Sequence, residues 1–329
     1  MHIPPAMRTE LHIIASCTDR KRAPVPLELH LRALREREPE RRARRWWRNL
    51  WEHPHPTQPA CDLYAGDHWR VVKELPALAT EARFHPRLWV ASAGYGLIPA
   101  DAPVRPYSAT FARGHADSVV PKADSRPTRE LLRQWWRSLA REPGPAPGEP
   151  RLVQELARAA PRARFLVVAS PAYIAALEED LALAARALRH PEHLLVISTP
   201  AAASRGVLAP QWVPSSARLQ SKYGGALSSL NARVARDLLV RARKKGEGSV
   251  MDAPSVQGYY GRLIHRSAPQ KRFERTHMTD DEVMQFIARE SRMERFSWSA
   301  TLRRLRDSGR ACEQQRFRRL FHQYQERVA

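Results

Sequence analysis

Four apolar runs, Leu11–Ala15, Leu88–Ala91, Phe165–Ala169 and Leu194–Ile197, have the length and β-branched content of buried strands. Each is nearly continuous, the pattern of a strand covered on both faces in a parallel sheet. Between them the spacing of apolar positions turns helical, around Trp69–Ala79, Arg129–Ala140, Leu152–Ala159 and Tyr173–Leu188. This alternation predicts an α/β fold, a mostly parallel or mixed sheet wrapped by helices. An Arg- and Trp-rich insertion at 27–60 separates the first two runs. It reads as helical over Leu27–Trp51, up to the break at His53-Pro54-His55-Pro56. Glu142–Pro150 and Ala201–Ser216 read as loops.

A further helix is predicted from about Ala226 to Lys244, with Leu227, Leu230, Val234 and Leu238 on one face. Lys244–Ser249 reads as a helix end and linker. The boundary is therefore expected there, between an α/β domain at 1–245 and a small basic all-α domain at 250–329. In the latter, Thr279 followed by Asp280, Asp281 and Glu282 is a helix start with an N-cap and an acidic first turn. A second helix starts at Ser297 or Ser299 and is interrupted at Gly309. A third runs from about Cys312 to Arg327, and Leu302, Leu305, Phe317, Leu320, Phe321 and Tyr324 supply the apolar face.

Composition narrows the partners. The 329 residues carry 55 Lys+Arg against 34 Asp+Glu, a formal net charge of +21. Such a surplus attracts polyanions, and nucleic acid, DNA ahead of RNA, is the expected partner. Arginine and alanine dominance is also what GC-rich coding produces, so charge alone does not establish binding. No apolar run approaches the roughly 18–20 residues of a spanning helix, so no membrane partner is expected. Pro4, Pro5, Arg8, Glu10 and His12 break any signal-peptide pattern, and the expected compartment is the cytoplasm. Three scattered cysteines, Cys17, Cys61 and Cys312, argue for a reducing environment.

Each predicted strand ends on a hydroxyl residue leading into a loop: Ser16, Ser92, Ser170, and Ser198 with Thr199. Ligands of open α/β sheets bind beyond the carboxyl ends of the strands, so these hydroxyls mark a candidate crevice, although serine also begins ordinary turns. The second strand breaks into a Ser-x-Gly-x-Gly turn, Ser92 to Gly96, whose N–H groups could hold an anion. The dinucleotide spacing Gly-x-Gly-x-x-Gly is absent, and no NAD is expected.

Leu63-Tyr64-Ala65-Gly66-Asp67, the Ser92–Pro99 turn and Arg105-Pro106-Tyr107 resemble motifs of the YaaA peroxide-stress family and of a related bacterial domain family. In the second family the first strand also leads into a small, basic turn, as Ser16-Cys17-Thr18-Asp19-Arg20-Lys21 does here. The resemblance spans roughly residues 10–200 and is patchy between motifs. It implies nucleic-acid association, base modification of the 7-deazaguanine type or phage defence, with neighbouring modification or defence proteins as further partners. The long insertion and the C-terminal unit depart from the YaaA pattern.

Motifs and strand ends together make Cys17, Asp67 and Ser92 the candidate catalytic residues. Ser16, Tyr64, Gly66, Gly94, Tyr95, Gly96, Tyr107 and Ser170 are the candidate substrate contacts. Cys17 lies beside Arg20, Lys21 and Arg22, which would favour a thiolate nucleophile; the alternative is a small buried turn residue. Asp19, Asp62 and Asp101 are further acids near these loops. His53, His55, Cys61 and His68 fit no standard zinc spacing, and no structural zinc is expected; any other cofactor is left open.

Arg20, Lys21 and Lys222 are candidate phosphate contacts, Lys222 beside Gly224-Gly225 at a helix entry. Arg303, Arg304, Arg306, Arg310, Arg316, Arg318 and Arg319 form a basic helical array suited to DNA. Trp46, Trp47 and Trp51 among arginines could stack bases or anchor a core. The leading expectation is a protein acting on a nucleobase or nucleotide, catalysis itself being left open. The alternatives are a non-catalytic DNA-binding stress protein and a docking subunit of a defence complex.

Overall fold

The computed structural model describes residues 8–121, 124–199, 206–245, 251–269, 274–293 and 296–328. The chain divides into two compact units, Met1–Ala268 and Pro269–Ala329. A six-stranded sheet organises the first. Its strands are β1 (Glu10–Ser16), β2 (His85–Ser92), β3 (Gly96–Pro99), β4 (Arg164–Val168), β5 (Leu194–Ser198) and β6 (Trp212–Pro214). They lie in the order β3-β2-β1-β4-β5-β6, all parallel except β3, which folds back antiparallel on β2. The α/β class holds, with β3 making the sheet mixed.

Helices α1 (Pro39–Glu52), α2 (Asp67–Val72), α3 (Leu75–Glu81), α4 (Thr128–Arg141), α5 (Val153–Ala159), α6 (Pro171–Ala187), α7 (Leu230–Lys245) and α8 (Ala253–Arg266) accompany it. Covered on both faces, β1 buries Leu11, Ile13 and Ile14 completely. His12 is buried in the same strand. It accepts a hydrogen bond from the Trp89 indole at 3.1 Å and stacks on Phe165. Burial, with Arg87 nearby, lowers its imidazole to about 4.

The four predicted strands form the centre of the sheet, and two short ones extend its edges. At four and three residues, each ending on a proline, β3 and β6 carry too little periodicity to stand out from turn and loop. The insertion is helical only from Pro39, whose fixed φ suits the first position of a helix. Before it the chain makes two 3₁₀ turns, Leu27–Leu29 and Leu31–Ala33. Leu227 is exposed, because a 3₁₀ turn over Leu227–Ser229 precedes α7.

The expected linker falls largely on 246–250, outside the described residues. The unit boundary itself lies later than expected, between Ala268 and Pro269. The reason is α8, which buries Val256 and Tyr260 in the first unit's core. The Tyr260 hydroxyl sits 2.8 Å from the Asp237 carboxylate and 3.2 Å from the Val234 carbonyl.

The second unit holds α9 (Asp280–Glu290), α10 (Trp298–Asp307) and α11 (Gln314–Val328), with a short parallel pairing of Thr276–His277 and Arg310–Ala311. Thr279 and Glu282 cap α9 reciprocally. Gly309, at φ +77°, supplies the left-handed residue after α10. Val283, Ile287, Leu305, Phe317 and Phe321 fill a core of its own. Among the described residues, no helix is long and apolar enough to cross a membrane.

Candidate active site at the carboxyl ends of β1 and β4

The chain leaves β1 for β2 on one side, and leaves β4 for β5 on the other. The β1/β4 boundary is thus the point where strand order reverses, and the crevice beyond it is where such sheets take ligands. A cavity of about 320 Å³ occupies that position. Its floor is buried: Cys17 after β1, His68 in α2, Tyr173 in the first turn of α6 and Asn231 in the first turn of α7. Its rim carries exposed Asp19, Arg20, Ser170 and Ser228. Two long helices, α6 and α7, bring their N-terminal turns to it, and the positive ends of their dipoles favour an anion.

A run of hydroxyls crosses beneath. Ser92 Oγ accepts from the N–H groups of Gly94 (3.2 Å) and Tyr95 (2.9 Å). With both lone pairs occupied, its own proton goes to the Tyr107 hydroxyl 2.7 Å away. Tyr107 donates in turn to Cys17 Sγ at 3.4 Å and lies 3.1 Å from the Tyr64 hydroxyl. The Tyr173 hydroxyl reaches the same sulfur at 3.0 Å. Burial raises the phenols of Tyr64, Tyr107 and Tyr173 well above the usual tyrosine range, so they remain protonated donors. The thiol therefore sits between two phenolic hydroxyls at the cavity floor.

Two further polar groups on the floor are incompletely satisfied by the protein. Oδ1 of Asn231 is buried without a hydrogen bond, and of the two buried ring nitrogens of His68 at most one is served, by the Ser16 backbone. Asn231 Nδ2 holds the Ala169 carbonyl at 2.9 Å. Burial lowers the His68 imidazole to about 4, although the Ser16 backbone and Asp67 both pull it upward. At neutral pH it is a neutral ring with one donor and one acceptor. Unsatisfied buried groups of this kind are costly, and a ligand that completes them recovers that cost.

Of the predicted residues, Ser16, Cys17, Arg20, Gly66, Asp67 and Ser170 line the cavity. Asp67 is nevertheless engaged as a clamp. Its carboxylate accepts from Ser229 Oγ (2.6 Å), both oxygens from Arg233 (2.9 Å), and also from Arg70 and the Ala226 N–H. These donors hold it well below the usual carboxylate range and tie the Gly66 turn to the start of α7. A carboxylate so occupied is a positioning group, not a proton carrier.

Ser92, Tyr64 and Tyr107 are fully buried in the hydroxyl run behind the cavity. A Cβ on Gly94 would run into the Tyr107 ring, which is why glycine stands there. Gly96, at φ +75°, and Tyr95 belong to the same packed turn. Trp46 and Trp135 donate to its Gly94 and Ala93 carbonyls, and Arg151 to those of Tyr95 and Leu97. With its Gly94 and Tyr95 N–H groups on Ser92, this turn is a structural node and offers no anion cradle. Ser198, the fourth strand-end hydroxyl, is buried on β5 away from the cavity lining.

Lys21 turns inward, its ammonium 2.8 Å from the Thr18 carbonyl and 4.7 Å above the Tyr107 ring. Burial lowers its pKa, against the upward pull of Cys17, Asp19 and Asp117. Lys222 is exposed on the short Gln220–Tyr223 helix and does not line the cavity. Trp46 is core; Trp51 stays exposed.

In the second unit Arg304 pairs with Glu290, while Arg316 and Arg319 pair with Asp280. Arg306 donates to the Cys312 carbonyl. Arg303, Arg310 and Arg318 make no ion pair among the described residues. The array is thus split between fold and surface.

His68, Tyr173 and Asn231 complete the floor, and periodicity alone gives no reason to single out Tyr173 or Asn231. Their one signal is position: each lies in the first turn of a helix that follows a strand-end or glycine-rich loop. Compared with known proteins, the chain matches no family model, no curated protein and no solved structure.

Proposed function

We propose that the cavity beyond β1 and β4 binds a nucleobase or nucleotide, and that the chain acts in nucleic-acid modification or defence. The observation that carries this reading is the pair of under-satisfied polar groups on a buried floor, neutral His68 with at least one ring nitrogen unmet and Asn231 Oδ1 with no partner. Together with the free N–H of the Asn231 amide they offer mixed donors and acceptors, the complement of a heterocycle edge. The helix N-termini of α6 and α7 and Arg20 at the rim suit a phosphate on the same ligand. Cys17, between Tyr107 and Tyr173, is the one nucleophile on the floor, and two hydroxyl donors would steady a thiolate during attack on an electrophilic base carbon. The YaaA-like motifs point the same way. Exposed arginines of the second unit supply contacts to a DNA backbone.

The test is ligand protection of the thiol. Bases, nucleosides and nucleotides are titrated by calorimetry, and iodoacetamide labelling of Cys17 is followed by mass spectrometry. A ligand that binds, slows Cys17 labelling and loses affinity in Asn231→Ala supports the proposal. Absence of binding across the panel overturns it. If binding persists in Cys17→Ser but turnover stops, the thiol is the nucleophile; unaltered turnover removes it from the chemistry.

A further inference from the structure

A second cluster of side chains lies outside the cavity lining. His53 and His55 each precede a proline, which biases both towards extended backbone. Alternation along an extended segment puts residues two apart on the same side. Accordingly the two imidazoles stack, with centroids 5.9 Å apart. They face Glu28 on the Leu27–Leu29 turn, whose Oε1 is 2.7 Å from His55 Nε2 and 3.8 Å from His53 Nδ1. Arg105 Nε donates to the His55 carbonyl at 2.9 Å and fixes that backbone from behind.

We propose that Glu28, His53 and His55 form a binding site for a divalent transition-metal ion, zinc in the first instance. The three donor atoms all lie within 4.8 Å of one another. A tetrahedral ion with ligands at about 2.0–2.1 Å spaces its donors about 3.3 Å apart. The separations of 2.7 and 3.8 Å bracket that value. One carboxylate oxygen meets one imidazole by hydrogen bonding; the Nδ1 of the second ring stands 3.8 Å from the same oxygen, beyond hydrogen-bond reach, a gap that an ion shared by all three would close. Two imidazoles and one carboxylate suit zinc and leave a coordination position open to water. The ligands come half-exposed from two segments, so the ion would fasten the Leu27–Leu29 turn to the end of α1. The zinc ligands would thus be His53 and His55 with Glu28, and Cys61 and His68 take no part.

The test uses the full chain, stripped with a chelator and titrated with ZnCl2 by calorimetry and with CoCl2 by visible absorption. One ion per chain is expected. The double variant His53→Asn/His55→Asn should abolish uptake, and Glu28→Gln should weaken it by about tenfold or more. The variant His190→Asn/His193→Asn removes both histidines of another group, which also holds Glu192, and should bind as wild type does. No uptake by the wild-type chain overturns the assignment. So does wild-type affinity in His53→Asn/His55→Asn, or loss of the ion in His190→Asn/His193→Asn. Should the double variant fail to fold, Glu28→Gln, whose side chain is half-exposed, decides alone: unchanged affinity rejects the site.

Discussion

The Tyr173 hydroxyl lies 3.0 Å from the Cys17 sulfur, across 156 residues of sequence. One residue follows β1 and the other opens α6, so their contact spans the point where the strand order reverses. Replacing Tyr173 by Phe keeps the ring edge-on against Phe111 and removes only the hydroxyl. The expected cost is about 1 kcal/mol in urea unfolding. In a double-mutant cycle with Cys17→Ala most of that cost should vanish, since the sulfur it serves is gone.

His68 predicts an acid-sensitive fold. Its imidazole falls from 6.5 to about 4 on burial, so the unfolded chain binds the proton that the folded chain refuses. The stability contributed by the neutral ring is complete above about pH 6.5 and is lost as pH falls towards 4. Between pH 7 and 5 that amounts to about 2 kcal/mol. His12 contributes in the same direction. Unfolding curves of His68→Gln at several pH values should show a visibly shallower acid slope than wild type.

Asp67 has the opposite chemistry and the same sign. Its carboxyl is held below the ordinary value by Ser229, Arg233 and Arg70. The clamp therefore contributes above about pH 4, the unfolded aspartate value, and is lost as pH falls through the lower folded value. Asp67→Asn should cost about 1–2 kcal/mol at pH 7 after solvent screening. The difference from wild type should shrink below about pH 4. A constant gap across pH would show that shape, not charge, holds the turn.

The arginines of the second unit should separate into two groups. If the second unit holds DNA as proposed, Arg303→Gln, Arg310→Gln and Arg318→Gln together should weaken duplex binding and flatten its salt dependence by about 0.9 for each phosphate left unneutralised. Arg304→Gln should instead lower the melting temperature, because Arg304 pairs with Glu290 between α9 and α10. Equal salt slopes in the triple variant and wild type would exclude those side chains from the proposed DNA contact.

The strands at the centre of the sheet were legible because both of their faces are buried, which leaves continuous apolar runs. Strands β3 and β6 were not, being too short for any period. The strand-end serines marked the edge of the sheet where the cavity lies, yet only Ser16 and Ser170 reach it, because only β1 and β4 flank the reversal. Cys17 was legible from its place after a strand. The role of Asp67 was not, since its partners Ser229 and Arg233 lie far along the chain. Tyr173 and Asn231 acquire meaning only through strand order, which no local pattern encodes.

That strand order also sets a schedule. The sulfur of Cys17 is made early and its hydroxyl partner on α6 much later. At about 5–20 residues per second, a ribosome needs on the order of ten seconds to cover that interval. During it the Cys17 sulfur lacks the Tyr173 hydroxyl that meets it in the fold. Completion of α6 sets the Tyr173 hydroxyl against the sulfur and narrows its exposure to the cavity side, so slow translation between β1 and α6 would be expected to raise damage at Cys17.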